Sequence, residues 1–313
     1  MFYPQLVAGP IERPQNMLAQ YKEFREYNWD NIKEGLSRMV WGFLKKAVIA
    51  DRLAMVVDWS FSHTHESSST VLLIGAMCYY FQVYCDFSGY SDLALGAAKV
   101  MNIKLIENFK QPFFSKSVSE FWRRWHISLY SWFYDYVYNS IFFSLRNLGK
   151  IALVASVLIT FSLSGLWHGA AWHFIFFGLL QAVVLIYEFS TRDLRRKLFS
   201  SMPGWASVFL SIGITFCFFI LAQVFFRAES MGKAWDYLTG IFALRGGSGN
   251  FGMDIAELIF AALLILVLLV RENKLPGFKI SNDTSFFAYF TFMVVICYFF
   301  GVFAENQFIY FQF

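Results

Sequence analysis

IALVASVLITFSLSGLWHGAAWHFIFFGLLQAVVLIY, residues 151–187, contains no Asp, Glu, Lys or Arg. A helix needs about 20 apolar residues to span a bilayer, so this run is too long for one ordinary crossing. Gly165, Gly169 and Trp172 predict a break near its middle, giving two helices or a bent pair. His168 sits at that break. An imidazole at membrane depth is costly unless it is satisfied by a partner or faces a wet cavity. It also exchanges protons near neutral pH. Two readings of it stand side by side, a buried base for chemistry and a packed residue whose nitrogens meet backbone. The flanking glycines let a ligand or another helix come close to the backbone, which favours the first.

Composition agrees with a membrane protein. The 313 residues are 57% hydrophobic, 21% aromatic and only 15% charged, with mean hydropathy +0.47. A soluble domain is nearer 45–50% apolar and about 25% charged. The expected fold is all-α, a polytopic transmembrane bundle of about seven to nine crossing or re-entrant helices. No Gly-, Ser- or Pro-rich linker divides the chain, so one domain over residues 1–313 is expected. The net charge of +4 is spread in small clusters at the ends of apolar runs, among them Lys45–Lys46, Arg123–Arg124 and 192–197. That pattern marks lipid headgroups as the partner, not nucleic acid. Cys78, Cys85, Cys217 and Cys297 lack metal-ligand spacing and read as small buried hydrophobes. His63, His65 and Glu66 supply too few ligands for a metal site, and none is expected. The first residues have neither a basic start nor a small-residue cleavage site, so no signal peptide is expected.

Further spans are expected at 67–85, 205–226, 254–270 and 284–304. Residues 32–61 read as a tilted span with snorkelling lysines or as two shorter pieces. Ser117 or Ser119 caps a helix that runs towards Phe143, with Glu120 at the capping-box offset from Ser117. Asp86-Phe87-Ser88-Gly89-Tyr90-Ser91-Asp92 is a polar island beside a span. Its carboxylates suit orienting a catalytic His or binding a hydroxyl; for Asp92 a helix-end loop facing water is the favoured reading. Arg123 and Arg124 suit a phosphate or carboxylate, or a place among headgroups. His126 and His168 are the proton-transfer candidates. His173 reads as an end-of-helix polar group.

Taken together, FYPQLVAGPI (2–11), YCDFSGYSD (84–92), ENF (107–109), FWRRWHISL (121–129), GLWHG (165–169), VFFRA (224–228) and FIYFQF (308–313) resemble the membrane-bound O-acyltransferase family (MBOAT). The similarity is greatest to its bacterial branch of alginate O-acetylation. The resemblance implies that His168 is the catalytic His and His126 the second family His. The matched islands supply Asp86, Ser88, Arg123 and Trp167 as substrate-binding candidates. It implies an acyl thioester co-substrate (acetyl-CoA or an acyl carrier) arriving from the cytoplasm, with no bound cofactor. It implies hydroxyls of an exported polysaccharide as acceptor, a periplasmic or extracellular acyltransferase and the polysaccharide synthesis machinery as partners, and a multi-pass place in the bacterial cytoplasmic membrane. Family members carry several helices before the segment matching 2–11, so this chain is expected to be N-terminally short. A transporter using His168, Asp86 and Arg123 as a proton or substrate path, or a non-catalytic scaffold, are the alternatives.

Overall fold

The computed structural model describes residues 2–6, 8–23, 26–274, 277–280 and 282–303. The motif at 308–313 and Val7 of the first motif lie outside the described residues. In chain order the helices are α1 (Pro14–Lys22), α2 (Trp29–Leu44), α3 (Asp51–Ser62), α4 (Ser69–Val100), α5 (Val118–Trp122), α6 (Ile127–Phe133) and α7 (Asn139–Ser144). They continue with α8 (Lys150–His168), α9 (Trp172–Ser190), α10 (Arg192–Ser200), α11 (Gly204–Arg227), α12 (Met231–Phe242), α13 (Ile255–Lys274) and α14 (Asp283–Phe300). Strand pairing among the described residues is limited to one isolated bridge, Ser67 to Ser248. The all-α expectation holds.

Among the described residues, five helices (α4, α8, α9, α11 and α14) are long and apolar enough to cross a membrane. That is fewer than the seven to nine expected. The 254–270 run does form a helix, α13, but Glu257, Arg271 and Glu272 place charge near both its ends. The 32–61 run is divided. Its two helices, α2 and α3, are joined by a π-helical turn, Lys45–Ala50.

The described residues group into two compact units. One comprises Met1–Ser62, Cys78–Asn108 and Asn250–Phe313; the other comprises His63–Met77 and Phe109–Gly249. In the first, α2 and the later part of α4 pack at backbone distance. A Cβ on Gly42 would lie 2.6 Å from the Gly89 carbonyl oxygen, and one on Gly35 would lie 2.5 Å from that of Gly96. Each pair is reciprocal, and both glycines of a helix recur seven residues apart, on one face. Lipid tails are as apolar as side chains, so helices in a membrane associate through such close packing and polar contacts.

This approach delivers the lysines to the polar island. Lys45 Nζ lies 2.6 Å from Asp92 Oδ2 and 2.8 Å from Ser88 Oγ. Lys46 Nζ lies 2.6 Å from Asp86 Oδ1 and 2.9 Å from Asp51 Oδ1. Arg38 bridges Asp92 at 2.8 Å and Glu107 at 2.6 Å. The island is therefore interior. Asp92 is buried within α4, which corrects the water-facing loop expected for it, and the lysines turn inward instead of snorkelling. The reason is pairing: a buried carboxylate is tolerable only with opposite charge and hydrogen bonds around it. At the edge of the same unit, Asp283 accepts from Lys33 Nζ at 2.8 Å and Trp29 Nε1 at 3.1 Å, tying α14 to α2.

Cys78, Cys85 and Cys297 are buried as expected, whereas Cys217 is exposed on α11. On a spanning helix the outer face meets lipid, so an apolar side chain there carries no burial signal.

Replacing Gly42 by Ala is expected to force α2 from α4 and to lower stability by about 1–3 kcal/mol. Gly213, inside α11, has nothing within 4 Å of a Cβ position. Gly213→Ala should be neutral or stabilising, by up to about 1 kcal/mol. Thermal unfolding of the two variants in detergent compares them directly; equal melting temperatures would refute the contact as a packing constraint.

Candidate active site

The second unit holds both candidate histidines. Its frame is the α8–α9 hairpin, whose break lies at residues 169–171, where the sequence places it. The two helices approach through small residues: a Cβ on Gly165 would collide with the Phe174 carbonyl, and one on Gly178 with that of Phe161. His168 is thereby the last residue of α8. Its ring stands edge-on to Phe226 of α11, with centroids 4.9 Å apart and planes at 79°. Phe226 also meets Phe174 at 5.4 Å and Phe177 at 5.3 Å. Thus VFFRA, a motif without titratable chemistry at its centre, supplies the wall against which His168 is oriented. Next door, His173 Nδ1 lies 3.0 Å from the Phe225 carbonyl. His173 is buried and fastens α9 to α11.

His126 arrives by a different device. The 117–143 stretch is not one helix. It divides into α5, α6, a π-helical turn at Tyr134–Tyr138 and α7. The break between α5 and α6 falls at His126, whose φ of 44° and ψ of 50° are left-handed. His tolerates that region better than most residues, together with Asn and Asp. Ser117 caps α5 as expected, its Oγ accepting from Glu120 N at 3.0 Å. Glu120 reaches back to Lys116 N at 2.8 Å, one residue before the capping-box position. The rest of the motif is anchorage. Phe121 stacks on Trp125 at 5.3 Å and lies against Phe219 of α11. Arg124 pairs with Glu120 at 2.6 Å and donates to the Gln111 carbonyl at 3.2 Å.

The result is a chain of three rings. His126 and Trp167 have centroids 6.4 Å apart, and Trp167 and His168 4.9 Å. His126 is buried and lies outside the five spanning helices. Burial, reinforced by the His168 imidazole beside it, holds its pKa well below the ordinary imidazole value and so keeps it neutral. A neutral imidazole can accept a proton, and two of them near each other can divide proton transfer and orientation.

Of the other sequence candidates, Trp167 is in this ring chain. Arg123 is exposed and donates to Ser119 Oγ at 3.1 Å. Asp86 and Ser88 belong to the first unit, bonded to Lys46 and Lys45. Among the described residues no group of three or more His, Cys, Asp or Glu side chains gathers as for a metal ion. One residue was missed from sequence. Glu188, near the end of α9, accepts from Val118 N at 2.8 Å and Ser119 N at 3.0 Å. Its carboxylate closes the first turn of α5 and fixes where the His126 turn begins. The available signal was its place as the first charge after the uncharged run.

A helical membrane protein with a buried histidine and a half-buried one beside a glycine-marked helix break is the class that fold and site define. The chain belongs to the membrane-bound O-acyltransferase family, whose model matches residues 1–231. It is 35% identical to a probable alginate O-acetylase AlgI of Azotobacter vinelandii, over 86% of this chain and 53% of that one. It is 37% identical to a peptidoglycan O-acetyltransferase of Helicobacter pylori, over 79% and 46%. It is 30% identical to a teichoic acid D-alanyltransferase of Bacillus subtilis, over 70% and 57%. The chain spans about half the length of the curated relatives it matches.

Glu188→Ala is expected to lose about 1–3 kcal/mol of local stability, because two amides then lack an ionic acceptor. Trypsin should cut faster at Arg123 or Arg124 in that variant, and Glu188→Gln should fall between it and the parent. Unchanged cleavage in Glu188→Ala would show that the carboxylate does not hold the turn.

Proposed function

We propose that this chain, acting as one membrane domain over residues 1–313, transfers an acetyl or similar short acyl group to hydroxyls of an exported polysaccharide. The observation that carries the reading is the His126–Trp167–His168 ring chain in a member of this family. The named relatives support a polymer acceptor, because alginate, peptidoglycan and teichoic acid appear in their names. Acetyl is favoured over D-alanyl because the two acetyl-transferring relatives are more similar over more of the chain.

In this reading His168 takes the proton of the acceptor hydroxyl as its oxygen attacks the thioester carbonyl. The carbon–sulfur bond breaks, an ester forms, and the imidazolium returns its proton to the leaving thiolate. His126 orients the acceptor or stabilises the developing charge, and Trp167 beside them is a substrate-binding candidate. Asp86, Ser88 and Arg123 are carried as substrate-binding candidates. The donor is a cytoplasmic thioester, acetyl-CoA or an acyl carrier. The partners are a periplasmic or extracellular acyltransferase and the polymer synthesis machinery, in the bacterial cytoplasmic membrane.

The test is acyl transfer from radiolabelled thioester to polymer, in membranes holding the protein with its partner machinery. Loss of a general base costs about 10²–10⁴-fold, so His168→Ala should nearly abolish transfer while the protein still inserts. His126→Ala should impair it less. Near-normal transfer by His168→Ala removes the base assignment. Label that stays on the donor while solute crosses the vesicle wall makes the protein a transporter instead.

A further inference from the structure

A cavity of about 570 Å³ opens in the second unit between α5, α8, α9 and α10. Neither His126 nor His168 lines it; on α8 the lining ends at Ser164, one turn short of His168. Its rim carries three guanidinium groups, Arg123, Arg192 and Arg195. Glu188 lines it too, but both its carboxylate oxygens are engaged by the α5 amides. The walls are apolar, with Leu129, Phe133, Leu153, Val157, Ile186 and Phe189.

Three polar atoms of the lining have no hydrogen-bond partner among the described residues although they are buried. They are Trp122 Nε1, Thr160 Oγ1 and Arg195 Nε. Trp122 is 8% exposed and Thr160 6%. Buried polar groups are normally hydrogen-bonded, and leaving one unpaired costs about 1–3 kcal/mol. Three of them lining one cavity describe a ligand that brings acceptors. Two are strict donors, and the third, a hydroxyl, can donate.

The position says where that ligand comes from. Tyr130, Tyr134 and Tyr138 of the lining form a stacked series, with centroids 6.5 and 5.3 Å apart. Tyr134 and Phe189 are 46% and 56% exposed. Tyrosines and arginines together mark the headgroup level of a membrane. Helix α10 adds Arg196 and Lys197, with Leu194 and Leu198 exposed, the pattern of a helix lying in the interface. Arg146 precedes α8 and Lys150 opens it, at the same end of the α8–α9 hairpin. Such a basic end faces anionic lipid.

We propose that this cavity binds one glycerophospholipid with an anionic headgroup, its phosphate held by Arg192, Arg195 and Arg123, its ester carbonyls by Trp122 and Thr160, and a chain along the α8 wall. The phosphate and ester carbonyls of a phospholipid offer the acceptors that these three atoms lack. A pantetheine-type arm would bring amide N–H groups that need acceptors. The inference does not depend on the acyl-transfer reading.

Native mass spectrometry of the full chain in nonionic detergent tests it, with titrations of dioleoylphosphatidylglycerol, dioleoylphosphatidylcholine, coenzyme A and inorganic phosphate. One retained phosphatidylglycerol per chain is expected, at least about tenfold tighter than phosphatidylcholine, with coenzyme A and phosphate not displacing it. Arg192→Gln with Arg195→Gln should weaken it about tenfold or more. Arg196→Gln with Lys197→Gln removes the same charge from α10 at residues that do not line the cavity, and should change little. Thr160→Val with Trp122→Phe leaves charge unchanged and should also weaken binding. Equal retention of both lipids, or equal effects of the α10 variants, would reduce the result to general interfacial attraction and overturn the site. Displacement by coenzyme A would give the cavity to a thioester donor, and displacement by phosphate would give it to a free anion. Each variant's melting temperature separates lost binding from lost folding.

Discussion

Backbone-to-backbone approach at glycine is the constraint on which both units depend. In the first unit it brings α2 within reach of α4 at Gly35–Gly96 and Gly42–Gly89. In the second it closes the α8–α9 hairpin at Gly165 and Gly178. Lipid gives helices no hydrophobic reason to associate, so close packing has to supply one. The consequences are chemical as well as structural. Only helices this near each other let the short reach of Asp92 and Asp86 meet Lys45 and Lys46. Only a hairpin this tight ends α8 with His168 in T-shaped contact with Phe226.

The charges of the first unit follow from that geometry. A π-helical turn at Lys45–Ala50 inserts where two lysines must face inward together. An ordinary helix separates neighbouring side chains by about 100° around its axis. Widening one turn changes where side chains point, and such turns are frequent at sites under functional or packing demand. The network Arg38, Lys45, Lys46, Asp51, Asp86, Asp92 then balances itself, three cations to three anions, with Glu107 added at the exposed edge. Removing one partner would leave a buried charge alone, which costs far more than the pair contributes.

What the sequence made legible was what depends on local pattern. The break in 151–187 follows from run length and glycine. The Ser117 cap follows from a hydroxyl three residues before Glu120. The pairing of Lys45 with Asp92 was hidden, because lysine at the end of an apolar run looks the same whether it snorkels or turns inward. The His126 turn was hidden for another reason: FWRRWHISL contains no Gly, Pro, Asn or Asp to announce a left-handed residue. His is itself permissive there, and that was the one clue available. Phe226 could be quoted from a motif but not given a purpose, since its role is to meet the His168 ring in a T-shaped contact, and no spacing rule reports it.

The two polar features of the second unit differ in the kind of partner they ask for. At the ring chain the groups are imidazoles in T-shaped contact with aromatic rings, and the neutral His126 can accept a proton as well as donate one. Such a place suits a group whose proton is moving. At the cavity beneath α10 the groups are guanidinium, indole and hydroxyl; the first two donate only, and neither guanidinium nor indole gives up its proton at ordinary pH. That place suits a ligand that is held and not changed. Glu188 stands between the two features: its carboxylate lines the cavity while its oxygens fix the start of α5 at Val118, eight residues before His126. An amphiphile seated against Arg195 and Trp122 would therefore touch the short helix that precedes His126, since Trp122 is the last residue of α5.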